Sequence, residues 1–318
     1  GGVVVLVGFG SPSDLAALRP GGSYVVQGLH QDAAAVAAAR AQLSERGVYG
    51  PVSAGVYDGA HLPFIDSLVN VVLVDSAPAL AREEVLRVLV PGGAAYVRDG
   101  DSWEKVPKPR PGALDDWTHF LYDASNNPVA KDDAVGPPAR FQWVSEPAWS
   151  KHHEEYPPTI PMMVSADGRV FYFEETSPAS VTNVKARWFL TARDAFNGTL
   201  LWRRETPGWL PTMWPSDLGG GLGGGPIDYK RRLVATGDRI YVTPAHAAPV
   251  TELDAATGET LRTLCPGAEH VELVHDGGTL YVASGTKSRS GLRLAADAAA
   301  PTGLQLAAYD LATGQARW

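Results

Sequence analysis

Three eleven-residue segments, ARDAFNGTLLW (192–202), ELDAATGETLR (252–262) and AYDLATGQARW (308–318), align without a gap, with Asp third and Gly seventh in each. A unit repeated in register restricts the fold to an array of one supersecondary element. Asp with Asn or Thr favours a turn, Gly supplies positive φ, and the flanking residues read as strands, so each segment predicts an antiparallel hairpin. Ahead of each lies an apolar strand pair broken by a glycine turn, at Gly168, Gly237 and Gly277, with Tyr172, Tyr241 and Tyr281 at equivalent places. The three Asp residues are 60 and 56 positions apart, more than the ~40–45 of a compact propeller blade, and inserted loops account for the excess. In such a hairpin the first and eleventh places face each other. They pair Ala192 with Trp202 and Ala308 with Trp318, but Glu252 with Arg262, which predicts a cross-strand ion pair and a weaker joint that lacks its Trp.

The chain changes character near residue 106: of nine Trp, only Trp103 precedes it. The prolines of VPKPRPGALDD disfavour helix and central strand and mark a linker. Before it, apolar strands at 3–7, 24–26, 51–56, 69–75 and 94–97 alternate with helices, among them 32–43 and 79–89. That order predicts a doubly wound parallel sheet, an α/β domain. Gly8-Phe9-Gly10 closes the first strand, where glycines let the backbone approach a ligand, and Asp32 reads as a helix N-cap.

Several of these residues form a known pattern: RVLVPGG (87–93), Gly8 and Gly10 after strand one, Asp58 followed by Leu62-Pro63-Phe64, and the strand from Val69 to Val74. With them, residues 1–104 resemble the Rossmann-like domain of class I S-adenosylmethionine-dependent methyltransferases. The resemblance implies a cofactor pocket built from Gly8, Gly10, His30 and Asp58. His30 stands where the family has a ribose-binding acid, Pro12 where it has another glycine, and Asn70 where it has an acid, which together describe a degenerate member.

The A-x-D-x-x-T-G-x-x-x-W segments are similar to the tryptophan-docking repeat of pyrroloquinoline-quinone (PQQ)-type β-propellers, and DDWTHFLYDASNNP, within the linker and lead-in at 105–159, looks like their lead-in. Residues 160–318 are thereby expected to form an all-β propeller fragment of about three blades that continues past Trp318. The whole chain resembles large bacterial PQQ-binding-like repeat proteins. That resemblance implies a periplasmic or extracytoplasmic binding or scaffold module, with a protein or small molecule as the propeller's ligand. The alternatives are an S-adenosylmethionine-dependent methyltransferase, or a quinone-dependent oxidoreductase holding PQQ with calcium only in a full-length propeller.

Composition excludes some partners. A net charge of −8 lacks the basic field that nucleic acid or anionic lipid selects. The longest apolar run, the ten residues GGVVVLVGFG, falls short of the ~18 of a membrane span. Cys265 is the sole cysteine, so neither an internal disulfide nor a Cys-rich zinc site is available. His152-His153-Glu154-Glu155 runs into Pro157-Pro158 and reads as a solvated loop, as does GGGLGGG at 219–225. No metal ligand and no catalytic residue is assigned.

Overall fold

The computed structural model describes residues 1–77, 79–134, 136–137, 141–146, 159–176, 187–207, 230–245, 248–266, 270–285 and 305–318. The segments 152–155 and 219–225 lie outside the described residues. The chain divides into two compact units, one of Gly1–Leu114, Asp132–Val144 and Asp194–Leu201, the other of Asp115–Lys131, Ser145–Arg193 and Trp202–Trp318.

In the first unit, β1 (Gly2–Val7), α1 (Pro12–Ala17), β2 (Tyr24–His30), α2 (Ala33–Glu45), β3 (Val52–Val56), β4 (Val69–Val74), α3 (Arg82–Val88), β5 (Leu89–Asp99) and β6 (Ser102–Pro107) form one sheet of order β3-β2-β1-β4-β5-β6. The first five strands run parallel, a Rossmann-like arrangement. Alternate residues of β1 enter different cores: Val5 and Val7 pack with Val72, Val74 and Leu89, while Val4 and Leu6 pack with Leu15, Val36 and Leu43. Burial on both faces is why β1 is apolar throughout rather than alternating. A sixth strand, absent from the sequence reading, returns antiparallel along β5 through Gly100. β5 also starts at Leu89 rather than 94, because the RVLVPGG segment joins it through a register shift near Val69.

The second half of the chain supplies β7 (Met163–Ala166), β8 (Arg169–Glu175), β9 (Trp188–Asp194), β10 (Leu200–Glu205), β11 (Leu233–Ala235), β12 (Arg239–Val242), β13 (Thr251–Asp254), β14 (Thr260–Thr263), β15 (His270–Asp276), β16 (Thr279–Ser284) and β17 (Gln305–Asp310). They form sheets β10-β9-β8-β7, β11-β12-β13-β14 and β15-β16-β17. Each repeat turn is built alike. The Asp carboxylate caps the turn amides: Asp254 Oδ1 accepts from Ala256 and Thr257, as Asp194 does from Phe196 and Asn197 and Asp310 from Thr313. The glycines sit at φ +72° to +75° and donate N–H to the Asp carbonyl four residues back. Asn197 of the NGT sequence accepts from the Thr199 amide, so this turn uses its side chain.

A fixed docking rule joins one repeat to the next. The Trp143 indole donates to the Ala195 carbonyl (2.9 Å) and lies where a Cβ on Gly198 would fall. Trp202, eleventh in the first repeat, does the same to Ala255 (3.0 Å) and Gly258 of the second. Arg262, eleventh in the second, donates to the Leu311 carbonyl and lies over Gly314 of the third. The joint that lacks a Trp is therefore occupied by a guanidinium. Glu252 and Arg262 face each other in register and form the expected ion pair, and Arg239 Nε adds a second contact to Glu252 at 3.1 Å. Glu252 is buried and each guanidinium about two-thirds so. Glu252→Ala leaves both cations without their carboxylate and is expected to destabilise by about 2 kcal/mol, a buried-pair loss discounted for the exposed guanidinium faces. Adding Arg262→Trp, which recreates the Ala/Trp pair of the other repeats, should recover most of it. Urea denaturation of the two variants measures both effects.

One short segment ties the second unit together. Trp117 exchanges hydrogen bonds with Ser165 of β7, the Thr118 carbonyl accepts from Ala235 of β11, and His119 Nε2 accepts from the amide of His275 in β15. Three consecutive residues thus hold the first strand of three consecutive sheets.

Candidate functional site

In a parallel sheet with helical crossovers, the carboxyl ends of the strands form the crevice where ligands bind. Gly8 follows the end of β1, His30 ends β2, and Asp58 lies two residues beyond β3. With order β3-β2-β1, the four residues Gly8, Gly10, His30 and Asp58 come to one edge of the sheet. Gly8 has φ +76°, and a Cβ there would fall 2.1 Å from the Ser76 carbonyl oxygen after β4. Gly8 is therefore required by the close approach of backbone to backbone. Gly10 faces open space.

Several polar groups along this edge already hold hydrogen bonds, most of them within their own loops. His30 Nδ1 accepts from the Asp32 amide (3.0 Å), and its ring packs 5.3 Å from that of Phe9. Asp32 caps α2, accepting from Ala34 at 2.8 Å. Gln31 reaches from the β2 loop to the β3 loop, donating to the Asp58 carbonyl (3.4 Å), and its amide nitrogen occupies the place of a Gly59 Cβ. Asp58 Oδ1 accepts from the amides of His61 (2.6 Å) and Ala60 (2.8 Å), while Oδ2 meets His61 Nδ1 at 2.8 Å. The His61 amide, its ring and the Ala60 amide hold the Asp58 carboxyl at about 2, and the bond to Asp58 raises the pKa of His61. At the start of α1, Pro12 has no N–H, Ser13 donates to Ser11 Oγ, and the Ser11 amide donates to Asp14.

Arg87, from the RVLVPGG segment, fixes the loop that follows Asp58. Its guanidinium binds Glu84 (2.8 Å), Asp66 (2.6 Å) and the carbonyls of Phe64 and Leu62, and Glu84 takes the Leu62 amide. Asn70, by contrast, lies at the amino end of β4, where it accepts from the Val3 amide at 2.7 Å, so it takes no part in this edge.

S-adenosylmethionine asks such an edge for a bidentate acceptor at the ribose, a free acid toward the adenine amine and open amides at the glycine turn. The residues present do not fit it. An imidazole with one nitrogen already bonded replaces the acid, Gln31 spans the gap between the β2 and β3 loops, the Asp58 carboxylate takes three hydrogen bonds within its own loop, and Pro12 with the Ser11 box removes the helix-start amides. Gln31 and His61 were not singled out in the sequence. Their signals were position alone, Gln31 as the residue after the strand-two end and His61 three places beyond Asp58.

Elsewhere, a depression of about 330 Å³ in the second unit is lined by Asp167, Arg169, Asp238 and Asp254. Its carboxylates are engaged by Arg169, Arg239 and the turn amides. Among the described residues, no group of three or more His, Cys, Asp or Glu side chains could hold a metal ion. No helix among the described residues is long and apolar enough to cross a membrane.

No protein family matches the sequence, and no curated protein does. Solved structures similar to part of the chain include the [4+2]-cyclase SpnF (25% identity, TM-score 0.28) and the geranyl diphosphate C-methyltransferase from Streptomyces coelicolor with Mg2+, geranyl diphosphate and S-adenosyl-L-homocysteine (17%, 0.28). The YcgJ protein from Bacillus subtilis is a third (22%, 0.27). Each match takes in 30% of this chain and 38%, 38% and 43% of those proteins, respectively, so the chain spans less than half of their length.

Proposed function

We propose that this chain is a binding or scaffold module, an array of PQQ-type propeller blades joined to a methyltransferase-type domain that no longer takes its cofactor. The observation that carries this reading is how the polar groups of the crevice are engaged: His30 with the Asp32 amide, Gln31 with the Asp58 carbonyl, the Asp58 carboxylate with three donors of its own loop, and the α1 amides with Ser11 and Asp14. The second reading, S-adenosylmethionine-dependent methyl transfer, draws on the open space at Gly10 and on the shared edge of Gly8, His30 and Asp58. Catalysis through PQQ and calcium has no residue set to act through among those described.

Titration calorimetry of the intact chain with S-adenosylmethionine separates the two readings. No heat is expected from the natural sequence, nor from His30→Asp, because an acid there still meets Gln31 across the gap and an Asp58 held by its own loop. Saturable binding to the natural sequence would overturn the scaffold reading and restore the methyltransferase one.

A further inference from the structure

The loop between β3 and β4 holds an imidazole in one tautomer with its far nitrogen turned outward. Tyr57 and Leu62, on either side of the Asp58–His61 turn, are buried and pack in one core with Val72, Val74 and Val85. Glu84 accepts from the Leu62 amide, Arg87 donates to the Leu62 carbonyl, and Gln31 holds the Asp58 carbonyl from the other side. Within the turn, the amides of Ala60 and His61 fix Asp58 Oδ1, which leaves Oδ2 for the His61 ring at 2.8 Å. An ionised carboxylate only accepts, so Nδ1 carries the proton and Nε2 the lone pair. The His61 side chain is 79% exposed, and Nε2 meets no partner among the described residues. So exposed a pair adds little to stability. What the turn secures is the orientation of the ring.

A neutral imidazole backed by a carboxylate is a base and a nucleophile, because the carboxylate fixes the ring and stabilises the positive charge that develops on it. The charges around the ring select what it can attack. Asp58, Glu84 and, through Arg87, Asp66 set three carboxylates against one guanidinium, a field that repels anionic acyl donors and admits neutral ones. Both Asp58 and Glu84 titrate below the usual carboxylate range, held there by the His61 turn and by Arg87. Neither has a proton to give a departing alkoxide, so the leaving group must be stable as an anion. We propose that His61, positioned by Asp58, is an acyl-transfer site for neutral esters with phenol-like leaving groups. Nε2 attacks the carbonyl carbon, the aryloxide departs with the electron pair of the broken C–O bond, and Asp58 balances the charge of the acylated ring. Water then adds to the acyl carbon, the C–N bond breaks, and the ring returns to its starting tautomer. Ester and water have become carboxylic acid and phenol. The proposal goes beyond the scaffold reading and does not depend on whether the crevice takes S-adenosylmethionine.

The test mixes the intact chain with excess p-nitrophenyl acetate and follows p-nitrophenolate by its absorbance, with free imidazole at the same concentration and pH as the reference. Steady-state release separates turnover from the one-time acylation of lysines. The natural sequence is expected to turn over faster than free imidazole and to lose that excess in His61→Gln, a change at an exposed side chain that leaves the fold intact. The rate should rise with pH as the ring loses its proton. Its midpoint should lie above the ordinary 6.5, because the hydrogen bond and charge of Asp58, with the charge of Glu84, raise the His61 pKa against the opposing pull of Arg87. Asp58→Asn should slow turnover and lower that midpoint, a shift that the loss of a structural contact alone would not produce. Turnover no faster than free imidazole, turnover unchanged in His61→Gln, or a midpoint that stays in place in Asp58→Asn overturns the proposal. So does a preference for acetyl phosphate, an anionic acyl donor, over the neutral ester.

Discussion

Replacing Gly258 by Val should lower the stability of the second unit by about 4 kcal/mol, combining the left-handed backbone cost of a β-branched residue with the strain of overpacking. The glycine has φ +74°, and a Cβ there would fall 2.6 Å from the Trp202 ring, well inside contact distance. The ring must leave, and with it the hydrogen bond to the Ala255 carbonyl. Gly278 is the control, since it has the same φ of +74° but open space beyond. Gly278→Ala should therefore cost only about 1 kcal/mol, the conformational part alone. Gly258→Ala should exceed it by the ring clash. Urea unfolding followed by tryptophan emission measures all three, and equal losses for the two Ala variants would show that the indole contributes nothing to the joint.

Acid should weaken the second unit through His119. The neutral ring is satisfied in one tautomer only: Nδ1–H donates to Thr118 Oγ1 (2.8 Å), that hydroxyl donates to the Tyr122 carbonyl (3.3 Å), and Nε2 accepts from the His275 amide (3.0 Å). A proton on Nε2 would point at an N–H donor. Burial, aided by the nearby His275, depresses the His119 pKa to about 4, while Asp123 and Asp276 pull the other way. Because the folded value lies below the ordinary 6.5 of an unfolded histidine, the unfolded chain takes up the proton first. Stability is full above about pH 6.5, falls as pH drops toward 4, and is then lower by about 3 kcal/mol. His275, also lowered by burial, adds to the same slope. Thermal melts between pH 7 and 4 should show it, and His119→Gln should flatten most of the dependence while lowering stability at pH 7.

The repeat sheets were legible because turn chemistry is local: Asp caps amides two and three residues on, and glycine adopts φ near +74° whatever surrounds it. The Glu252–Arg262 pair was legible for the same reason, as cross-strand neighbours are set by hairpin register. The docking role of Arg262 was not, since it depends on a carbonyl 49 residues away and on a planar cation filling the place of an indole. β6 escaped notice because Ser102–Pro107 is a solvated edge strand in which Val106 alone is buried, so it lacks apolar alternation. At the crevice, the strand ends could be located from apolar runs and glycines. The hold of His61 on Asp58, and the crossing by Gln31, are side-chain events that composition leaves open.

The segment Trp117-Thr118-His119 has a consequence for how the sheets come apart. In a linear array each repeat touches only its neighbours, so an end repeat can fray while the rest persists. Here three sheets are wired in parallel to one peptide, through bonds that bridge 48 residues at Ser165 and 156 at His275. Opening any one sheet disturbs a tether that the other two share, which raises cooperativity above that of a chain of nearest neighbours. Synthesis runs in the opposite sense: the tether emerges before any sheet it will hold, and gains its partners one at a time in chain order. Assembly is therefore sequential while disassembly is collective, and the third sheet, last to arrive, is the one whose attachment depends on an unprotonated histidine.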